Sequence, residues 1–391
     1  MRALIVEDLK PMRDILKKML RQMPYFEEID ETGDGEEGWS MITEQAAAES
    51  PYDIIFCDVR MEVLDGIGLL KRCRSHPAFR FLPFFMISAS SEESNIISAL
   101  GEWEANNFLV KPFSFDLLAK RVEATLKQLQ SPEEELFREV HDLRKIGATR
   151  AAMDKIENAE MESRLSLARW LNAKGECLLQ EGDVVQAAIE FGKSMDIGKI
   201  YITAYKNYAI AQQMLGNVDQ AIEALKCAES MSPKDSDRTL LLGRLLLQTG
   251  QKEAAERLME SAVRRCTGKE KAVLLRQIAE VHLEHGNLEE AEKRLTASLQ
   301  FHSSDVETYN RLGLVLRKQR KYEKALQCYQ MALTVHPEHG GIYYNMGILF
   351  ATKGDYDSAR VYFESALAVD PNFEEARKML QRMDRMGESS V

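Results

Sequence analysis

A pattern of small and large apolar residues returns every 34 residues through more than half of this 391-residue chain, and few architectures permit that. Tyr343, Met346, Gly347, Phe350, Gly354, Ala359, Phe363, Ala366 and Pro371 mark the last clear unit; Tyr309, Leu312, Gly313, Leu316, Ala325, Tyr329, Ala332 and Pro337 stand one period earlier. The same frame fits units beginning near positions 272, 236, 202 and 168, which makes six over 168–373. A repeated unit this short leaves an apolar face exposed unless the next unit covers it, so stacking into a solenoid is the expected outcome. The small positions Gly313 and Ala325 let paired helices approach, and Tyr309 and Tyr329 are expected to fill the gap to the next unit. Residues 374–391 read as a capping helix and tail.

The first 130 residues follow another rule. Strand-like runs at 3–6, 28–31, 52–57, 84–88 and 107–110 alternate with helix-period stretches at 11–23, 36–47, 66–74, 92–100 and 114–129. Alternation of this kind predicts a doubly wound, five-stranded parallel sheet whose ligand crevice lies at the carboxyl ends of the strands. The fold class is therefore α/β followed by all-α. Glu7 and Asp8 close the first strand, Asp58 the third, Ser88 the fourth, and Lys111 with Pro112 the fifth. Three carboxylates brought together repel one another and call for a cation; an all-oxygen site suits Mg²⁺. A lysine and a hydroxyl opposite suit a phosphoryl group.

Between these parts, 131–167 is charged and helical. Ser131-Pro132-Glu133 reads as a capped helix start, and Gly147, Ala152, Ile156 and Ala159 have the spacing of a degenerate helical hairpin, so a semi-rigid joint is expected.

The formal charge of −11 comes from 62 acids and 51 bases with no basic block, which argues against an output that grips nucleic acid. Six cysteines without a C-x-x-C pair read as reduced thiols used as small apolar residues. No stretch of about 18 apolar residues is long enough to span a bilayer, and the N-terminus has no signal-peptide run. A cytoplasmic location is expected.

The set Glu7-Asp8, Asp58-x-x-Met61-x-x-x-Asp65-Gly66, Ser88-Ala89 and Lys111-Pro112 resembles the receiver domain of two-component response regulators, over about the first third of the chain. The resemblance implies that Asp58 accepts a phosphoryl group from a histidine kinase or phosphotransfer protein. It implies Mg²⁺ held by Glu7, Asp8, Asp58 and the backbone carbonyl of Arg60, with Ser88 and Lys111 contacting the phosphoryl oxygens and Phe108 as the aromatic switch. Glu62 stands where the family often has proline, and Trp103 departs from the usual small-residue turn. Arg60 and Ser90 occupy positions that tune dephosphorylation in the family. The repeat skeleton resembles the tetratricopeptide repeat, which implies a protein ligand in the groove lined by first helices, with candidates Asn172, Lys206, Arg244, Arg276, Asn310, Arg317 and Tyr344. The clamp that family uses for terminal carboxylates is not matched, and five histidines (His282, His285, His302, His336, His339) show no metal spacing.

A bacterial, phosphorylation-controlled regulator acting through protein binding is the leading expectation, non-enzymatic apart from phosphoryl acceptance and slow self-dephosphorylation. Two rivals stand beside it: a phosphoryl sink that blocks a kinase or sister regulator, and a constitutive scaffold with a vestigial receiver. The architecture also admits a homodimer.

Overall fold

The computed structural model describes residues 1–89, 107–159, 164–232 and 235–388. Strands β1 (Arg2–Val6), β2 (Glu28–Thr32), β3 (Ile54–Asp58), β4 (Phe84–Ser88) and β5 (Asn107–Val110) form one sheet in the order β2-β1-β3-β4-β5, every pair parallel. Helices α1 (Lys10–Arg21), α2 (Gly35–Ala47), α3 (Gly66–Ser75) and α4 (Phe115–Leu129) connect or follow the strands. The expected helix at 92–100 lies outside the described residues, as do Trp103 and Ser90.

The sheet is covered on both faces, and for that reason β3 and β4 are buried at every position rather than alternately. Leu4, Val6, Ile55, Cys57, Phe84 and Met86 pack to one side, Ala3, Ile5, Ile54, Phe56, Phe85 and Ile87 to the other. Side-chain caps fix several helix starts. Asp34 accepts from the amides of Glu36 and Glu37, Asp65 from Gly68, Ser114 from Leu117, and Ser131 from Glu134.

The joint consists of α5 (Pro132–Lys145) and α6 (Thr149–Glu157) around a turn in which Gly147 has a φ of 76°. Val140, Ala152 and Ile156 pack there against Trp170, Ala173 and Cys177 of α7 (Arg164–Glu181), so this hairpin has a core of its own. Trp170 donates its indole N–H to Glu133 at 3.0 Å, and Arg169 pairs with Glu134 at 3.0 Å. On the receiver side, Phe81 meets the His141 ring edge-on at 5.2 Å, with Arg138 over its face.

The repeats are hairpins of α7 with α8 (Val184–Ile197), α9 (Ile202–Met214) with α10 (Val218–Met231), α11 (Ser236–Gln248) with α12 (Lys252–Arg265), α13 (Gly268–Glu284) with α14 (Leu288–Phe301), α15 (Val306–Lys318) with α16 (Tyr322–Val335), and α17 (Gly340–Lys353) with α18 (Tyr356–Val369); α19 (Glu374–Glu388) follows. The chain forms two compact units, Met1–Asp235 and Ser236–Val391. The first contains the receiver sheet, the joint and two repeat hairpins.

Within a hairpin the helices lock by size. A Cβ on Gly175 would come within 2.6 Å of the Phe191 ring, on Gly313 within 2.5 Å of Tyr329, and on Gly347 within 2.6 Å of Phe363; Gly243 stands likewise against Met259. In the remaining two units the small residue is alanine, Ala209 and Ala279, and the residue sixteen positions on is leucine, Leu225 and Leu295. Tyr329 therefore packs over its own hairpin's glycine, and it also shares a buried cluster with Ile342, Met346 and Leu349 of the next unit, the gap it is expected to fill. The side-chain direction of the second helix points this position at its partner.

Candidate functional site

Four strand ends and one turn build the crevice. The amide of Glu7, just after β1, donates to the Thr32 carbonyl at 3.0 Å, and the amide of Lys111, just after β5, donates to the Ser88 carbonyl at 2.7 Å. The Lys111–Pro112 peptide is cis. Asp58 ends β3, and a Cβ at Gly66 would collide with the Asp58 carbonyl oxygen, so the Asp65-Gly66 turn can close on the strand only with glycine there.

Glu7, Asp58 and Ser88 are buried, at 1%, 6% and 1% exposure. The Lys111 ammonium donates to Glu7 Oε2 at 2.6 Å and to Asp58 Oδ1. Asp58 Oδ2 accepts the Arg60 amide at 2.7 Å. Burial pushes the Glu7 carboxyl above its ordinary range, and Lys111 only partly offsets this. Burial also opposes the charged form of Lys111, but its hydrogen bonds to Asp58 and Glu7 outweigh that and hold its pKa up. Phe108 is buried among the core side chains that include Cys57, Val59 and Met86.

The expected trio of carboxylates is not assembled. Asp8 is exposed, and among the described residues no three acidic, histidine or cysteine side chains stand where they could share a metal ion. Lys111 supplies the positive charge that Glu7 and Asp58 require, while Arg13 holds the main-chain carbonyls of Glu7 and Asp8 at 2.6 and 3.1 Å. What remains still fits a hard cation: the donors are all oxygen, and Glu7 Oε1 is buried without a hydrogen-bond partner.

The groove candidates part ways. Asn172 is buried, its Oδ1 accepting from Asn207 Nδ2 at 2.9 Å, and half-buried Asn310 accepts from Asn345 at 2.8 Å; these amides tie neighbouring hairpins together. Tyr344 packs against Phe363 and Phe373 at 5.6 and 5.2 Å between ring centroids. Arg244 pairs with Glu284 at 2.7 Å and Arg276 with Asp305 at 3.5 Å, and the Arg317 Nε is buried. Lys206 lines a cavity described below. Of the five histidines, His282 is fully buried with Nε2 3.4 Å from Glu256, a packing histidine. All six cysteines are free thiols.

Sequence reasoning missed the Lys111 bridge to Glu7 and the arginines that meet Lys206. No pattern of spacing signals either, since the partners are far apart in the chain.

Two family models match the chain. Residues 3–123 match the response regulator receiver domain, and residues 150–390 match the family described as cilia and flagella-associated protein 70 C-terminal domain. The probable chemotaxis protein CheY of Rhizobium etli is 31% identical over 129 residues, which is 33% of this chain and 95% of that protein. Chemotaxis protein CheY1 of Helicobacter pylori is 32% identical over 126 residues, 32% of this chain and 97% of that protein. Among solved structures, a tetratricopeptide repeat protein from Parabacteroides merdae is 19% identical, with a TM-score of 0.44, over 64% of this chain and 97% of that one. Among the described residues no helix is long and apolar enough to cross a membrane. The chain thus belongs to the response regulator receiver family through residues 3–123 and to the cilia and flagella-associated protein 70 C-terminal domain family through residues 150–390, a receiver followed by a tetratricopeptide-like helical region.

Proposed function

We propose that this protein is a phosphorylation-controlled response regulator of the cytoplasm whose output is protein binding by its helical repeats. The observation that carries the reading is the Lys111 ammonium held between Asp58 and Glu7 at the carboxyl edge of the sheet. An Asp58 oxygen attacks the phosphorus of a phosphohistidine on a kinase or phosphotransfer protein. The phosphorus–nitrogen bond breaks as the acyl phosphate forms, and the imidazole keeps the electron pair and takes up a proton.

Lys111 can follow the transferring group, because an ammonium on a flexible stem moves from carboxylate to phosphoryl oxygen with little loss. The Ser88 hydroxyl, at the neighbouring strand end, would donate to another phosphoryl oxygen. Bound Mg²⁺ would neutralise charge on the transferring oxygens. Glu7 and Asp58 would hold it with the Arg60 carbonyl, and exposed Asp8 would turn inward to join them. Phe108, on β5 beside Met86 of β4, would report the change to the surface. Glu62, exposed on the loop after Asp58, is the side chain a partner would meet first.

Incubation of the full chain with acetyl phosphate and Mg²⁺ tests this. We expect an acid-stable, hydroxylamine-sensitive adduct on Asp58 that is absent from Asp58→Asn. No adduct on the wild type, or an equal one on Asp58→Asn, would overturn the proposal.

A further inference from the structure

Inside the first compact unit, a cavity of about 250 Å³ opens where receiver, joint and first repeats meet. Arg74, Ser75 and Arg80 line it from the receiver, Phe137, Val140, His141 and Arg144 from the joint, and Ala173, Glu176, Ile202 and Lys206 from the repeats, with Asp235 at its edge. Its charges are four cations, Arg74, Arg80, Arg144 and Lys206, against the carboxylates of Glu176 and Asp235. Arg144 is paired with Glu176, and Lys71 approaches the buried Asp235 at 3.9 Å. Arg80, exposed, and Lys206, half-buried, have no carboxylate partner among the described residues.

Half-burying an ammonium with no counter-ion costs free energy, and arginines lining the same cavity add to the cost. His141 lies among the same charges. Burial, and then Arg80 and Arg144, push its imidazole down to about 4. The first residues of α9 also line the cavity, and that helix starts without a side-chain cap hydrogen bond. The apolar part of its wall is formed by Phe137, Val140, Ala173 and Ile202.

We propose that this cavity binds a small organic phosphate monoester. Its charge at neutral pH, about −2, matches Arg80 and Lys206, the two lining cations without a carboxylate partner among the described residues, whereas a simple carboxylate would leave one of them unpaired. The bidentate geometry of Arg80 suits phosphate oxygens, Lys206 adds a point charge, and the apolar wall takes the organic part. The cavity is at the small end of the range for ligand sites, which limits that part to about the size of one ring. A ligand seated there would touch side chains of all three segments at once and so tie the receiver to its output. The proposal does not depend on phosphorylation of Asp58.

Calorimetric titration of the full chain with phenyl phosphate, inorganic phosphate and benzoate is the test. We expect saturable one-to-one binding of phenyl phosphate, with inorganic phosphate and benzoate each weaker by about tenfold or more. Arg80→Gln with Lys206→Gln should weaken phenyl phosphate by about tenfold or more, while the ligand-free melting temperature stays within about 2 °C of the wild type. Arg80→Gln alone changes only an exposed side chain, and should weaken binding by about threefold. Absence of saturation up to about 10 mM phenyl phosphate would overturn the site. Equal affinity in the variants would do the same. Benzoate binding as tightly as phenyl phosphate would refute the assignment to phosphate, and inorganic phosphate binding as tightly would refute the role of the apolar wall.

Discussion

Replacing Lys111 with methionine keeps most of the side-chain volume and removes the charge that joins two buried acids. Side-chain exposure is 2% for Glu7, 8% for Asp58 and 16% for Lys111, so water cannot take the ammonium's place easily. The protein's cheapest response is to keep one carboxyl protonated. From an ordinary value of 4.5 for glutamate, that costs about 4 kcal/mol at pH 7.5 and about 1.4 kcal/mol at pH 5.5, at 1.36 kcal/mol per unit. The loss is bounded by that cost, and we expect about 2–4 kcal/mol at pH 7.5 without metal, shrinking as the pH falls. A divalent cation held by the same two carboxylates would restore part of it, in proportion to the logarithm of its concentration. Hydrogen exchange read by mass spectrometry on peptides covering β1 and β3 measures this locally in the full chain, where a single unfolding transition is not assured. A pH-independent loss below about 1 kcal/mol, unaltered by millimolar Mg²⁺, would refute the buried bridge and the reasoning built on it.

Gly313→Ala should destabilise the second unit by about 1–3 kcal/mol through the clash with Tyr329, and Tyr329→Leu in the same chain should recover part of the loss, as the Ala279 and Leu295 pair implies; urea titration of the wild type, the single and the double variant checks this. Arg320→Gly should stabilise by about 0.5–1 kcal/mol, because Arg320 has a φ of 62° at the turn where Gly182, Gly216, Gly250, Gly286 and Gly354 stand in the other units; the midpoint of urea unfolding reads it. His141, held near 4 when folded against 6.5 when free, is protonated first in the unfolded chain, so the first unit should lose stability as the pH falls from about 6.5 and level off below about 4. His141→Gln should flatten that slope in thermal melts, and an unchanged slope would exclude the histidine as its source.

Much of the crevice could be read from the chain before any coordinates. Asp58 follows four apolar residues of strand length, and a buried parallel strand can only end by presenting its next polar side chain at the sheet's edge; Ser88 and Lys111 follow the same rule on β4 and β5. The start of α5 was legible from its capping Ser131. The helical nature of the joint was legible too, from the proline and acids that open α5.

The sequence by itself determined the alternation that makes the sheet parallel, the helix-period apolar spacing inside each repeat unit, and the identity of the polar residues at the strand ends. Periodicity and local chemistry suffice for these, since they depend on neighbours within one or two turns of chain. Only the tertiary structure decided that Lys111 spans Glu7 and Asp58 while Asp8 stays outside, that Asn172 and Asn310 bind other hairpins, and that Arg80, Arg144 and Lys206 meet around one cavity. A period states which face a residue occupies, but the charge or ring it meets there comes from a segment tens or hundreds of positions away, and only packing brings the two within reach.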